Sequence, residues 1–266
     1  MYDERSRELI TRGNLDGIVS AAVFLRRFPR SPVRFVTSPA AAAGLLRSGG
    51  AEHAFLADIA LTPSLASAVE EVGRHRPVTL IDHHESSLRA EWAVIDVSTS
   101  AAGLMYHQLA VDGMDAAVSL ADLYENEDTP LLRSMMDRMG IETLRRETEV
   151  LDFAWRLNVK DDAFRLAAAE GLASGLLPSC VAEIAERHAE MVRRDGCRYA
   201  VMINRGERES VVSLRSTAPG GVDLGRFVES FTAEHGVEGG GHPASAGARI
   251  PSDSAELLIE QLEALA

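Results

Sequence analysis

Residues 78–84 read Val-Thr-Leu-Ile-Asp-His-His, an apolar run that ends in one aspartate and two histidines. The run predicts a buried strand over residues 78–81. Similar short runs occupy residues 9–11, 33–36 and 54–57, and helix-like spacing separates each run from the next. Strands that alternate with helices are typical of βαβ units, so this half of the chain predicts a parallel sheet.

Three acidic residues, Asp16, Asp58 and Asp82, lie at or just beyond the ends of predicted strands. Taken alone, each is compatible with a helix cap or a turn. In a parallel sheet, however, ligands bind outside the carboxyl ends of the strands, where the three side chains would converge. Clustered carboxylates repel one another unless a cation holds them. The pattern therefore predicts a divalent metal site at this edge.

The rest of the chain has a different pattern of predicted helices and strands. Residues 101–194 are mostly helical by pattern and end in a polar-rich connecting helix, residues 180–194. Beyond it, paired strands, a helix, another strand and a final helix predict a small α+β domain. We therefore predict an α/β protein with a parallel-sheet domain over residues 1–194, which includes the connecting helix, and a smaller α+β domain over residues 195–266.

Composition narrows the classes of partner. The formal net charge of −13 argues against a broad electrostatic grip on duplex nucleic acid, whereas a short oligonucleotide, a nucleotide or another small phosphate compound stays compatible with it. Cys180 and Cys197 do not form a disulfide framework, so we expect reduced thiols and a cytoplasmic location. The charged start MYDERSREL is unlike a secretory signal, and no apolar run predicts a membrane span.

Six short motifs follow one another in a recognisable order. They are Leu15-Asp16-Gly17-Ile18-Val19-Ser20-Ala21, Leu56-Ala57-Asp58, Leu80-Ile81-Asp82-His83-His84, Leu120-Ala121-Asp122, Ser213-Leu214-Arg215-Ser216 and Gly239-Gly240-Gly241-His242. Together they resemble the DHH/DHHA1 phosphoesterase family over nearly the whole chain. That family includes RecJ-type exonucleases, nano-RNA and cyclic-dinucleotide phosphodiesterases, and the superfamily includes inorganic pyrophosphatases. The resemblance implies metal-dependent hydrolysis of phosphodiester bonds in short oligonucleotides or nucleotides.

The resemblance also implies roles for the acidic and histidine side chains. Family members bind two divalent cations, usually Mn²⁺, which carboxylate and imidazole ligands suit. One cation would be held by Asp16, Asp58, His83 and Asp122, and Asp58 would bridge to the other. Asp82 would orient His83 by accepting a hydrogen bond from its ring. His84 would contact the phosphate of the substrate.

The last two motifs imply a grip on the remainder of the substrate. Backbone N–H groups of Gly239, Gly240 and Gly241 would approach a phosphate closely. Arg215 would make a bidentate phosphate contact, and His242 would add a donor. The alternatives are a flexible turn for the glycines and a surface ion pair for Arg215.

The first motif departs from the family pattern H-x-D-x-D, because this chain has Arg12-Gly13-Asn14-Leu15-Asp16. Arginine does not bind metals, and the neutral amide of Asn14 is a weak ligand. Our hypothesis is that Arg12 replaces the lost cation near Asp58 and also attracts a substrate phosphate. The protein would then bind one metal or none. The alternative is that another residue, from a loop, supplies the missing ligand.

Three functions remain open from the sequence. The first is a phosphoesterase weakened by the loss of ligands, acting on short single-stranded nucleic acid or nucleotides. The second is a catalytically inactive nucleic-acid-binding or replication scaffold protein, which resembles the replication factor Cdc45. The third is a small-molecule phosphatase. The acidic run of residues 125–128 follows Asp122 closely. We interpret it as a solvated helix boundary, and the alternative is that it extends the acidic cluster. The sequence does not give the oligomeric state and is compatible with a homodimer.

Overall fold

The chain divides, in a computed structural model, into two units, Met1–Met191 and Val192–Ala266. The structure describes residues 6–157, 161–193, 199–206, 208–216, 222–237, 239–243 and 245–265. Each unit has a sheet and a hydrophobic core of its own.

The first unit is built on a parallel sheet with the strand order β2-β1-β3-β4-β5. In the register, Ile10 is paired with Leu56 and Leu56 with Leu80, so the carboxyl ends of the central strands lie side by side. The predicted α/β class is confirmed. The strands are β1 (Arg7–Arg12), β2 (Val33–Val36), β3 (His53–Ala57), β4 (Val78–Asp82) and β5 (Ala93–Ile95).

Helices cover both faces of this sheet. One face packs against α2 (Pro39–Ser48) and α3 (Pro63–Gly73), and each of these helices begins with a proline behind a Ser or Thr cap. The other face packs against a buried helix, α1 (Leu15–Arg27), and most of the helices that follow the sheet in the chain. Those are α4 (Ala101–Gln108), α5 (Asp115–Tyr124), α6 (Pro130–Met139), α7 (Ile141–Leu157), α8 (Asp162–Ala173) and α9 (Ala182–Arg193).

The bounds of two elements of this unit were not predicted. Strand β5 has only three residues, all half-buried, so it carries no alternation that would mark a strand. Helix α5 begins after Met114, whose side chain accepts no capping hydrogen bond, so a start signal is missing.

The second unit has an antiparallel sheet with the order β6-β7-β9-β8, covered by helices. The predicted small α+β domain therefore has the expected class. Its elements are β6 (Tyr199–Asn204), β7 (Glu209–Ser216), α10 (Leu224–His235), β8 (Gly239–His242), β9 (Ser245–Pro251) and α11 (Ala255–Leu265). None of the helices in the described ranges is long and apolar enough to cross a membrane.

Candidate metal centre

Asp16 lies in the first turn of α1 and is fully buried. Its two carboxylate oxygens accept hydrogen bonds from the backbone N–H groups of Ala101 and Ala102, each over 2.9 Å. These two residues open α4, and the first N–H groups of a helix carry partial positive charge that favours an anion. The start of one helix therefore holds a carboxylate from the start of another.

The pKa of the Asp16 carboxyl is raised well above its usual range. Burial is the main cause, and the nearby negative charges of Asp58 and Glu125 add to it, while His83 acts in the opposite direction. Burial and the neighbouring carboxylates therefore disfavour the ionised form of this carboxyl, whereas His83 and the hydrogen bond from the Ala102 N–H favour it.

Asp58 follows β3 directly and is 1% exposed. Its backbone lies in the left-handed region, with φ of 54°, and its N–H donates to the carbonyl oxygen of Ile81 over 3.2 Å. Its Oδ1 is 3.4 Å from Nε2 of His83. Its Oδ2 is buried and has no hydrogen-bond partner within the part of the chain that the structure describes.

Asp82 ends β4 and is fully buried. Its Oδ1 lies 2.7 Å from Nδ1 of His84, and this contact raises the pKa of the His84 ring. The sequence resemblance implied that Asp82 orients His83 instead. The structure corrects this, because the ring of His83 faces Asp16 and Asp58. The second oxygen of Asp82, Oδ2, is another buried atom without a hydrogen-bond partner in the described ranges.

His83 lies between two buried carboxylates. Its Nε2 is 3.6 Å from Oδ2 of Asp16 and 3.4 Å from Oδ1 of Asp58. Burial alone would lower the pKa of this ring, but Asp58, Asp16 and Glu125 outweigh burial and raise it to about 9. The imidazole is thus surrounded by negative charge.

Two groups of side chains could hold a metal ion, and His83 belongs to both. Within each group the ligand atoms lie within 4.8 Å of one another. The first group is Asp58, His83 and His84, and the second is Asp16, His83 and Glu125. Three of the four predicted metal ligands, Asp16, Asp58 and His83, are therefore brought together at the predicted sheet edge.

Glu125 was missed as a site residue, because the acidic run that contains it was interpreted as a solvated boundary. The residue follows the last residue of α5, and its side chain is half-buried beside His83. Burial is the main cause that raises the pKa of its carboxyl, and Asp58 adds to it. The signal in the sequence was the acidic run itself. The alternative interpretation, in which the run extends the acidic cluster, describes Glu125 correctly.

Asp122, the fourth ligand implied by the resemblance, lies in neither group. Its Oδ1 accepts hydrogen bonds from the hydroxyl of Ser100 over 2.6 Å, and from the Ser100 N–H and the Thr99 hydroxyl over 3.2 Å each. Its Oδ2 accepts a hydrogen bond from the Thr129 hydroxyl over 2.6 Å. The carboxylate is buried and occupied by these donors, so the structure does not bring it to the other predicted ligands.

The departures in the first motif have structural uses. Asn14 caps α1, since its side-chain oxygen accepts a hydrogen bond from the N–H of Gly17 over 2.9 Å. Arg12 ends β1 and is exposed. The positive charge of Arg12 lowers the pKa of Glu125, although burial has the larger, opposite effect. Neither of the Asp58 contacts described above is made by Arg12. We expected Arg12 to lie near Asp58, but no direct contact between them is found among the described residues.

The remaining predicted site residues belong to the second unit. Arg215 lies on β7, and Gly239, Gly240, Gly241 and His242 form β8, which pairs with β9. The alternative of a flexible turn at the three glycines is wrong, because they lie in a strand. Gly239 also has a packing reason, because a Cβ there would lie 2.7 Å from Cβ of Ala248 and 2.9 Å from Cγ2 of Thr232.

Comparison with known proteins supports the family indicated by the motifs. The family model described as the DHHA1 domain matches residues 173–266. The match covers less than half of the chain and assigns this part of it to the DHHA1 domain. The matched part begins at the end of α8 and includes the whole second unit. The predicted resemblance to DHH/DHHA1 phosphoesterases is thereby confirmed, and the glycine strand β8 lies inside the DHHA1 domain.

Solved structures are similar to this chain over almost all of its length. The DHH domain of a member of a ribosomal-protein family has a TM-score of 0.50 and 12% identity, over 97% of this chain and 86% of that chain. The pGpG-specific phosphodiesterase PggH from Vibrio cholerae has a TM-score of 0.47 and 13% identity, over 98% of this chain and 100% of that chain. RecJ from Thermus thermophilus in complex with Mn²⁺ has a TM-score of 0.45 and 15% identity, over 98% of this chain and 52% of that chain. No curated protein sequence matches the chain.

Proposed function

We propose that the protein is a divalent-metal-dependent phosphodiesterase that acts on short single-stranded oligonucleotides or nucleotides. The observation that carries this proposal is the buried Oδ2 of Asp58, which has no hydrogen-bond donor in the described ranges. Buried polar atoms are nearly always paired, because an unpaired one loses its hydration without compensation. A cation between Asp58 and its neighbours Asp16 and His83 would satisfy this oxygen.

The residues present fit such a cation. Carboxylate oxygens and imidazole nitrogens are donors that Mn²⁺ accepts. We propose that Asp16, Asp58 and His83 would hold the ion. His83 belongs to both candidate groups, whereas Asp58 and Asp16 belong to one each. When bound, a divalent cation polarises a phosphoryl group and makes a coordinated water more acidic. We propose one Mn²⁺ as the main state, since Asn14 is used as a helix cap.

His84 has the properties of the residue that meets the substrate. Its side chain is 33% exposed, in contrast to the buried Asp82 that binds its Nδ1. The contact with Asp82 raises the pKa of the ring, so the ring stays protonated over a wider range of pH. A protonated ring anchored through Nδ1 leaves Nε2 to donate to a phosphate oxygen. We propose that Arg12, on the same edge of the sheet, adds positive charge for the incoming phosphate.

The DHHA1 domain is proposed to bind the remainder of the substrate through Arg215, His242 and the backbone of Gly239, Gly240 and Gly241. The support is the motif and the family match to this part of the chain. Arg215→Ala is expected to raise KM for a short oligonucleotide while leaving Mn²⁺ affinity unchanged, because Mn²⁺ is proposed to bind in the other unit.

A second candidate function is a catalytically inactive nucleic-acid-binding protein. It is favoured by Arg12 and Asn14, which replace two ligands of the family pattern, and by the use of Asn14 as a cap. Such a protein would keep phosphate recognition without turnover.

Turnover assays with purified protein separate the two candidates. Labelled short oligonucleotides, the dinucleotide pGpG and pyrophosphate would each be incubated with Mn²⁺. The phosphodiesterase predicts hydrolysis of the first two, its loss in Asp58→Asn, and full activity in Asp137→Asn, which changes an exposed carboxylate on α6. Binding of oligonucleotides without hydrolysis would overturn the proposal in favour of the second candidate. Hydrolysis of pyrophosphate alone would indicate a small-molecule phosphatase.

A further inference from the structure

Asp122, on α5, accepts hydrogen bonds from the capping residues of α4 and α6. The residue lies on α5, and its Oδ1 accepts the hydroxyl hydrogen bond of Ser100, the cap of α4. Its Oδ2 accepts the hydroxyl hydrogen bond of Thr129, the cap of α6. Each hydroxyl in turn accepts a backbone N–H from the first turn of its own helix, over 3.0 Å in both cases. One buried carboxylate thus orients two helix caps.

Of these two helices, α4 leads to the metal centre. The two N–H groups that follow Ser100 in the chain, those of Ala101 and Ala102, donate to the two oxygens of Asp16. A continuous chain of hydrogen bonds and backbone therefore runs from Asp122 through Ser100 to Asp16. The cap of α6 is different. The hydroxyl of Thr129 bonds to Asp122 and to the N–H of Leu132, and neither contact leads on to Asp16.

The close approach of α5 to α4 depends on Gly103. A Cβ at this position would overlap the hydroxyl of Thr99 and would lie 3.1 Å from Oδ1 of Asp122. The absence of a side chain lets the carboxylate reach the α4 cap. A side chain at position 103 would therefore press on the Thr99 hydroxyl and on this carboxylate oxygen.

We propose that Asp122 is a positioning residue that fixes the start of α4 through Ser100 and thereby holds Asp16 in place for the metal. This inference rests on the proposed metal-binding function of Asp16. It differs from the role implied by the family resemblance, in which Asp122 would itself be a ligand. Groups that orient metal ligands without touching the metal change its affinity measurably.

Three variants distinguish positioning from ligation and from a purely structural role. Ser100→Ala removes the hydroxyl that bonds to Asp122 and caps α4, while the Ser100 N–H and the Thr99 hydroxyl keep their contacts with Asp122. Thr129→Val removes the equivalent contact and cap on the side of α6, so it is the matched control. Asp122→Asn keeps the shape of the side chain and removes its charge. Calorimetric titration of each variant with Mn²⁺ gives the affinity and the number of sites, and hydrogen exchange of the Ala101 and Ala102 amides is followed without metal.

Positioning predicts that Ser100→Ala and Asp122→Asn both weaken Mn²⁺ binding by about tenfold with the number of sites unchanged. Both variants would also speed exchange of the two amides, whereas Thr129→Val would change neither quantity. Loss of a site in Asp122→Asn with normal affinity in Ser100→Ala would overturn the inference in favour of ligation. Equal Mn²⁺ affinity in all three variants and the unaltered protein would overturn it in favour of a structural role.

Failure of the proposed function has a different signature. If the unaltered protein binds no Mn²⁺, the proposed metal dependence is wrong, and amide exchange alone decides the inference. Faster exchange of Ala101 and Ala102 in Ser100→Ala and Asp122→Asn would still support the positioning of Asp16. Unchanged exchange in these two variants would overturn it.

Discussion

The side-chain oxygen of Asn14 accepts a hydrogen bond from the backbone N–H of Gly17 over 2.9 Å. The turn between β1 and α1 is tight around this contact, because a Cβ at Gly17 would overlap the carbonyl oxygen of Arg12. The amide at position 14, which departs from the family pattern, therefore has a defined structural function. Asp16 lies in the first turn after this cap, so the cap also helps to fix the position of the Asp16 carboxylate.

Asn14→Ala is expected to lower the free energy of unfolding by about 1 kcal/mol, because the first turn of α1 loses its cap. Asn14→Asp keeps a capping oxygen and should leave stability nearly unchanged. Urea denaturation of both variants measures the difference. Ser38→Ala removes the corresponding cap of α2 and serves as the control. Equal stability of Asn14→Ala and the unaltered protein would contradict the capping role.

In the metal-free protein, the ring of His83 is expected to titrate near pH 9 because Asp58, Asp16 and Glu125 outweigh the effect of burial on its pKa. This folded pKa lies above the ordinary value of 6.5. Protonated His83 therefore contributes stability that is fully present below pH 6.5 and lost as the pH rises through 9. NMR titration of the ring reports the pKa, and urea denaturation from about pH 6 to about pH 9.5 reports the stability.

Two variants test the origin of this titration. Asp58→Asn should lower the pKa of His83, since it removes the largest contribution that raises it. His83→Gln should flatten the fall in stability between pH 6.5 and 9. A His83 ring that titrates near its ordinary value in the metal-free protein would show that the carboxylates do not act on it as the distances indicate.

Replacement of His84 is expected to reduce turnover more than metal binding. His84→Ala should lower kcat for a phosphodiester by about 100-fold, the scale of a lost proton donor. Asp82→Asn should lower the pKa of His84, because the hydrogen bond that the Asp82 carboxylate accepts from the His84 ring is the main cause that raises it. The loss of activity at high pH would then move to lower pH. A kcat–pH profile that is identical in Asp82→Asn and the unaltered enzyme would argue against this role.

The glycines of β8 should differ in their tolerance of a side chain. Gly239→Ala is expected to destabilise the protein by about 1–3 kcal/mol, because its Cβ would press on Ala248 and on the carbonyl oxygen of Gly247. Gly240→Ala meets only the flexible side chain of Glu229, at 3.4 Å, and should be nearly neutral. Thermal unfolding measures both. If Gly240→Ala folds normally, its affinity for an oligonucleotide measures the effect of a side chain at this position on substrate binding, apart from any effect on folding.

The position of the site could be predicted from sequence because strand ends are local signals. Apolar runs that stop at Asp58 and Asp82 place two carboxylates at one edge of a parallel sheet. The partner of Asp82 could not be predicted, because His83 and His84 are neighbours in the chain and the turn of the backbone alone decides which ring faces it. The surroundings of Asp122 could not be predicted for a related reason. Its motif fits the family, but the hydroxyls that occupy it come from other elements of the fold.

Glu125 shows a second limit. Its side chain reaches His83 because α5 ends at Tyr124 and the following residues turn, with Asn126 at a φ of 61°. Sequence pattern shows that an acidic run follows an apolar stretch, but not the direction in which the chain leaves the helix. The side of the helix end on which Glu125 lies is a property of tertiary packing.

The left-handed backbone of Asp58 has a practical consequence for every mutational study of this centre. Asparagine and aspartate tolerate that conformation, whereas alanine carries a backbone penalty of about 1 kcal/mol or more there. An alanine scan would therefore mix relaxation of the strand end with loss of the carboxylate, and would assign to metal chemistry an effect that belongs to the main chain. Asparagine removes the charge and leaves the conformation in place, so it is the substitution from which the contribution of this carboxylate can be measured.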